Sequence, residues 1–140
     1  MAQPIHDAMR QFMETGGSGT TENALVTLSK AFAVDIINVC DLLKSRGKSA
    51  SIINQLLRCG TSIGANIHEA NYASGRSDFI FKLQIALKEC YETDYWLDVF
   101  HQAGMLDDNE YHKLFAACSK IRKLLVASLN TAKENAQQTK

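Results

Sequence analysis

From Asn23 onward, apolar residues recur every third or fourth position, the repeat of an α-helix with one buried face, and fit no strand. A first helix over about 23–46 carries Leu25, Leu28, Phe32, Ile36, Val39 and Leu43 on that face, and Gly47 is placed to end it. A second, over about 50–72, turns Ile52, Leu56, Cys59, Ile63, Ile67 and Ala70 inward. Ala73-Ser74-Gly75-Arg76 then turns the chain, with Ser77 as the expected cap of a third helix and Asp78 set against its dipole. That helix runs over about 78–102 and stops near Gly104. A fourth starts at Asp107 or Asp108 and continues to about Lys133, burying Tyr111, Leu114, Phe115, Cys118, Ile121, Leu125 and Leu129. Long amphipathic helices joined by short links place consecutive helices antiparallel. The expected fold is all-α: an antiparallel up-down-up-down four-helix bundle over 23–134. Residues 1–22 read as a flexible N-terminal arm, in which Ile5, Met9 and Phe12 take helical spacing ahead of Gly16-Gly17-Ser18-Gly19. Residues 135–140 read as a disordered tail.

The third helix carries more apolar residues than one buried face needs. Phe79, Leu83, Ala86, Cys90 and Leu97 fall on one side, while Phe81, Ile85, Tyr95, Trp96 and Val99 gather on or near the other. A second apolar stripe has to be covered, within the subunit by the arm or by wide packing, or from outside by another protein. Symmetric self-association is the common solution, so these five residues are the expected oligomer interface.

A polar seam accompanies the core stripes. Arg58, Ser62, Asn66 and Glu69 follow one line along the second helix, and Lys82, Glu89 and Glu92 follow one along the third. A single antiparallel register brings Glu69 to Lys82, Ser62 to Glu89 and Arg58 to Glu92. Such a seam sets the alignment of the two helices or offers a polar groove to a ligand. Within the same stretch, Gly60 and Gly64 lie one turn apart. Each costs about 1 kcal/mol of helix propensity, which close approach of another backbone offsets.

Composition narrows the function. At 140 residues the chain makes one domain, and 46% hydrophobic residues exclude a disordered protein. Fifteen Lys+Arg balance 15 Asp+Glu, which argues against a strongly basic nucleic-acid binder but leaves room for a local patch. Arg76, Lys120, Arg122, Lys123 and Lys133 are the candidate nucleic-acid contacts, expected together at one bundle end. The plainer account is dipole complementarity, since the fourth helix begins acidic and ends basic. The four cysteines, Cys40, Cys59, Cys90 and Cys118, show no C-x-x-C spacing and read as small buried hydrophobes. Paired Glu-x-x-His motifs of a di-iron bundle are missing, as are phosphate-binding and nucleophile-elbow motifs. The reading is therefore a non-enzyme with no cofactor and no metal. No apolar run is long enough for a membrane span and no basic-then-apolar leader is seen, so the expected location is the cytoplasm.

The run from Gln55 to Ala70 (QLLRCGTSIGANIHEA), followed by Ser77-Asp78-Phe79 and by Lys82 to Leu97 (KLQIALKECYETDYWL), resembles the signature of one bacterial family. This is the S23-like family of four-helix bundle proteins, also called intervening-sequence proteins, some of which are encoded within insertions in large-subunit ribosomal RNA genes. The resemblance spans about residues 25–130. It implies an all-helical subunit, often a ring-like homopentamer, and similarity to retroelement accessory subunits that bind RNA and a reverse transcriptase. Those subunits are strongly basic, and this chain is not. The expected function is a non-catalytic homo-oligomeric scaffold that recruits protein, with an RNA- or nucleoprotein-binding accessory subunit as the alternative.

Overall fold

A computed structural model describes residues 21–138. Four helices follow one another: α1 over Thr21–Ser45, α2 over Ala50–Ala70, α3 over Arg76–Gln102 and α4 over Asp108–Gln138. The expected arm falls, up to residue 20, outside the described residues, while Thr21 and Glu22 already belong to α1. Residues 135–138 of the expected tail belong to α4, which continues to Gln138, and residues 139–140 lie outside the described residues. The last turns of α4, Glu134-Asn135-Ala136-Gln137-Gln138, contain neither Gly nor Pro to stop it.

Local chemistry explains where the helices start and stop. Gly47 takes φ +79° and Gly104 φ +74°, the left-handed conformation that ends a helix without a Cβ clash. At both, the chain folds back on the last turn. Lys48 N–H donates to Leu43 O at 3.1 Å, and Met105 N–H donates to Phe100 O at 2.8 Å. The start of α4 is a reciprocal capping box: Glu110 N–H donates to Asp107 Oδ1 (2.7 Å), and Asp107 N–H donates to Glu110 Oε1 (3.0 Å). Ser77 does not cap α3. The helix opens two residues earlier, with Gly75 at the N-cap and no side-chain cap bond. Asp78 reaches back instead and accepts from Ser74 N–H at 3.1 Å.

The register of contacts runs in opposite directions along each neighbouring pair. Gly64 meets Ser29 where Gly60 meets Ile36, Glu69 meets Lys82 where Arg58 meets Glu92, and Asp94 meets Arg122 where His101 meets Asp108. Neighbouring helices are thus antiparallel. Each contributes to a single core containing Phe32, Ile36 and Leu43 from α1, Ile53, Leu56 and Ile63 from α2, Leu97 and Phe100 from α3, and Ile121 and Leu125 from α4. The α1–α4 contact, which closes the bundle, is the least extensive of the four.

Some inward assignments change, and Phe79, Tyr111 and Phe115 are only half-buried. Ile52 is exposed and Ile53 is fully buried. The tight link after α1 presses the first turn of α2 onto α1, with Cys40 Sγ 3.9 Å from Ile53 O, so the inward stripe begins one residue later than its spacing indicates. Thr93 and Phe100 join the buried face of α3, where Thr93 Oγ1 donates to Glu89 O at 2.7 Å and so needs no polar partner across the core.

The glycine pair explains how closely α1 and α2 approach. A Cβ at Gly60 would lie 2.9 Å from Ile36 Cγ1 and Cγ2, and one at Gly64 would lie 3.1 Å from Ser29 O. Substituting Gly60→Val is expected to cost about 2 kcal/mol or more, read as a lowered urea midpoint, because strain exceeds any gain in helix propensity. All four cysteines are free and buried. Burial pushes the Cys40 thiol up to about 12 and the Cys59 thiol up to about 11. A thiol-specific disulfide reagent is therefore expected to label none of them until the chain unfolds.

Candidate interaction surface

The outer face of α3 follows from its own periodicity. Leu83, Ala86, Cys90, Thr93, Leu97 and Phe100 turn inward, which leaves the opposite arc to solvent. Phe81 is 56% exposed and Tyr95 59%, and Tyr91 joins them at 54%. Tyr91 is absent from the residues picked out by sequence, although its spacing of four from Tyr95 marks the same arc. The other three predicted interface residues are placed differently. Ile85, Trp96 and Val99 are half-buried, and Trp96 and Val99 lean on the edge of the core. Ile85 and Trp96 are rotated from Phe81 toward the edge where Glu89 meets α2, whereas Val99 lies in line with Phe81. The Trp96 ring packs edge-on against Tyr95, at 5.0 Å between centroids, so the exposed tyrosine stands on a fixed base.

The polar seam forms between α2 and α3 with both charge pairs that spacing predicts, Glu69–Lys82 and Arg58–Glu92, and departs from it only at Ser62 and Glu89. Lys82 Nζ lies 3.0 Å from Glu69 Oε2. Arg58 pairs with Glu92 and also with Glu89, at 3.5 Å. Trp96 Nε1 donates to Glu92 as well, at 3.4 Å. The Glu92 hydrogen bond holds the Arg58 guanidinium above its ordinary pKa. Ser62 and Asn66 stay on their own helix: Ser62 Oγ donates to Arg58 O (2.7 Å) and Asn66 Nδ2 donates to Ser62 O (2.8 Å). A serine hydroxyl reaches the preceding turn of its own helix more easily than it spans an interhelical gap. That leaves Glu89 to Arg58.

The predicted basic end does not assemble. Arg122 sits opposite Asp94, at 3.4 Å, with its guanidinium over the Tyr91 ring at 5.9 Å. Asp94 lies well inside α3, so Arg122 and its neighbours Lys120 and Lys123 are level with the body of the bundle. Arg76 opens α3 and Lys133 lies near the end of α4, at the far end of the same helix pair. Burial raises the Asp94 carboxyl despite the arginine beside it.

At the α3–α4 turn, His101 is half-buried, with Nε2 2.7 Å from Asp108 Oδ1 and its ring stacked on Tyr111 at 4.2 Å between centroids. That hydrogen bond holds the Asp108 carboxyl below its ordinary value. Among the described residues, no three His, Cys, Asp or Glu side chains gather as metal ligands.

The model of the 23S rRNA-intervening sequence protein family matches residues 21–127. The chain belongs to that family. A solved structure, a protein of unknown function from the S23 ribosomal protein family of Bacteroides thetaiotaomicron VPI-5482, shares 40% sequence identity with it. It superposes with a TM-score of 0.77, covering 79% of this chain and 98% of the other. No curated protein matches. The family segment contains the glycine pair, the seam and the whole of α3, so all three lie within the intervening-sequence fold.

The seam aligns helices more than it stabilises them, because Arg58 is about half exposed. A double-mutant cycle on Arg58→Met and Glu92→Gln is expected to give a coupling of about 0.5–1 kcal/mol that shrinks with added salt, measured by urea unfolding.

Proposed function

We propose that this chain is a non-catalytic, homo-oligomeric scaffold that assembles through the outer face of α3. The observation that carries this reading is the aromatic ridge of Phe81, Tyr91 and Tyr95, each more than half exposed on a helix whose other face already fills the core. Exposed aromatic surface of this kind is characteristic of protein interfaces. The absence of catalytic motifs in the sequence supports a binding role, and the family resemblance implies a closed ring of five subunits. No helix among the described residues is long and apolar enough to cross a membrane.

The alternative, an RNA- or nucleoprotein-associated subunit, draws on the family description. The geometry gives it less support, since Arg122 is already engaged by Asp94 and the basic residues are not gathered at one end.

Light scattering on the purified chain is expected to give a multiple of its 15.5 kDa mass at micromolar concentration, five-fold if the ring forms. Tyr95→Glu together with Phe81→Glu is expected to reduce it to a monomer with unchanged helical content. A wild-type monomer would remove the main support for the scaffold, and salt-sensitive binding of structured RNA would favour the alternative.

A further inference from the structure

Asp35 is 6% exposed, and neither of its carboxylate oxygens accepts a hydrogen bond. Its place follows from helix geometry. Ser29, Ile36 and Cys40 occupy the edge of α1 that meets α2. Asp35 is turned about 100° from Ile36 in the other direction, toward the edge that closes on α4. That is the least extensive of the four helix contacts. Among the described residues the charged group acting on Asp35 is Lys113 of α4, and α2 presents none to it.

An ionised carboxylate with no donor is costly to bury, whereas the neutral acid is tolerated. We propose that the α1–α4 seam is a proton-responsive closure, shut while Asp35 is neutral and loosened when Asp35 ionises and draws toward Lys113 and solvent. The seam is suited to this. It joins the two helices most distant in sequence, and its opening leaves the α1–α2, α2–α3 and α3–α4 hairpins intact.

The direction of the pH effect follows from proton linkage. Burial raises the Asp35 carboxyl above its ordinary 3.8, opposed by Lys113, so the folded chain binds this proton more tightly than the unfolded chain does. The stabilisation is present below the ordinary aspartate range and is lost as pH rises through the raised value.

The test is urea unfolding of the full chain from about pH 4 to pH 8, paired with amide hydrogen exchange corrected for its intrinsic pH dependence. The wild type is expected to lose stability as pH rises, with protection falling first along α4 and the facing side of α1. Asp35→Asn is expected to reduce that loss to the part owed to Asp94, whose carboxyl burial also raises, and Lys113→Gln to move the Asp35 midpoint to higher pH by removing the cation that favours ionisation. Matching pH profiles for wild type and Asp35→Asn would overturn the proposal. So would an unmoved midpoint in Lys113→Gln, which decides the question if Asp35→Asn does not fold. Loss of protection spread evenly over all four helices would overturn the assignment to the seam.

Discussion

Where Gly60 and Gly64 face α1, α2 itself places no side chain between the two helices. Ile36 fills the space that a Cβ at Gly60 would need, and the Ser29 carbonyl borders the one at Gly64. The glycines give up helix propensity, and the close approach restores dispersion contacts over the adjoining turns. The remaining helices inherit this geometry. With α1 and α2 fixed at short distance, α3 and α4 complete the core by supplying Leu97, Phe100, Ile121 and Leu125 from the opposite side.

The polar interactions act on a different scale. Arg58 with Glu92 and Glu89, and Lys82 with Glu69, are partly solvated and contribute little net stability. They do penalise a slipped register, because a shift of one residue would separate the paired charges and turn the inner stripes of α2 and α3 out of the core. Specificity of alignment and stability of the core are therefore carried by different residues. The four buried thiols belong to the second group. Cys118 lies against Cys90, with its Sγ 3.6 Å from the Cys90 carbonyl, and contact with Cys90 together with burial raises its pKa, so it acts as a small hydrophobe.

Two features of the bundle stand out. The aromatic ridge on α3 leaves apolar surface in water, and Asp35 leaves a carboxylate out of it. Departures of this kind, in a fold whose caps, turns and core otherwise agree, are where function is most economically sought. They lie on different elements, one on the face of α3 turned away from the core and one where α4 meets α1.

Much of the bundle was legible in the spacing of apolar residues, since a helix buries one face and a period near 3.6 says which. Helix number, the short links, the glycine stops at Gly47 and Gly104 and the charge pairs at both ends of the seam all follow from the chain alone. What it left open were matters of rotation by a single residue and of competition between partners. Ile53 rather than Ile52 faces inward because α1 presses on the first turn of α2, and Ser62 bonds its own helix because that acceptor is closer. Trp96 and Val99 share an arc with Phe81 in projection, yet only the neighbouring helix decides how much of that arc is covered. Periodicity fixes a direction around one axis. Burial depends on what stands in that direction, and that is settled only when four axes come together.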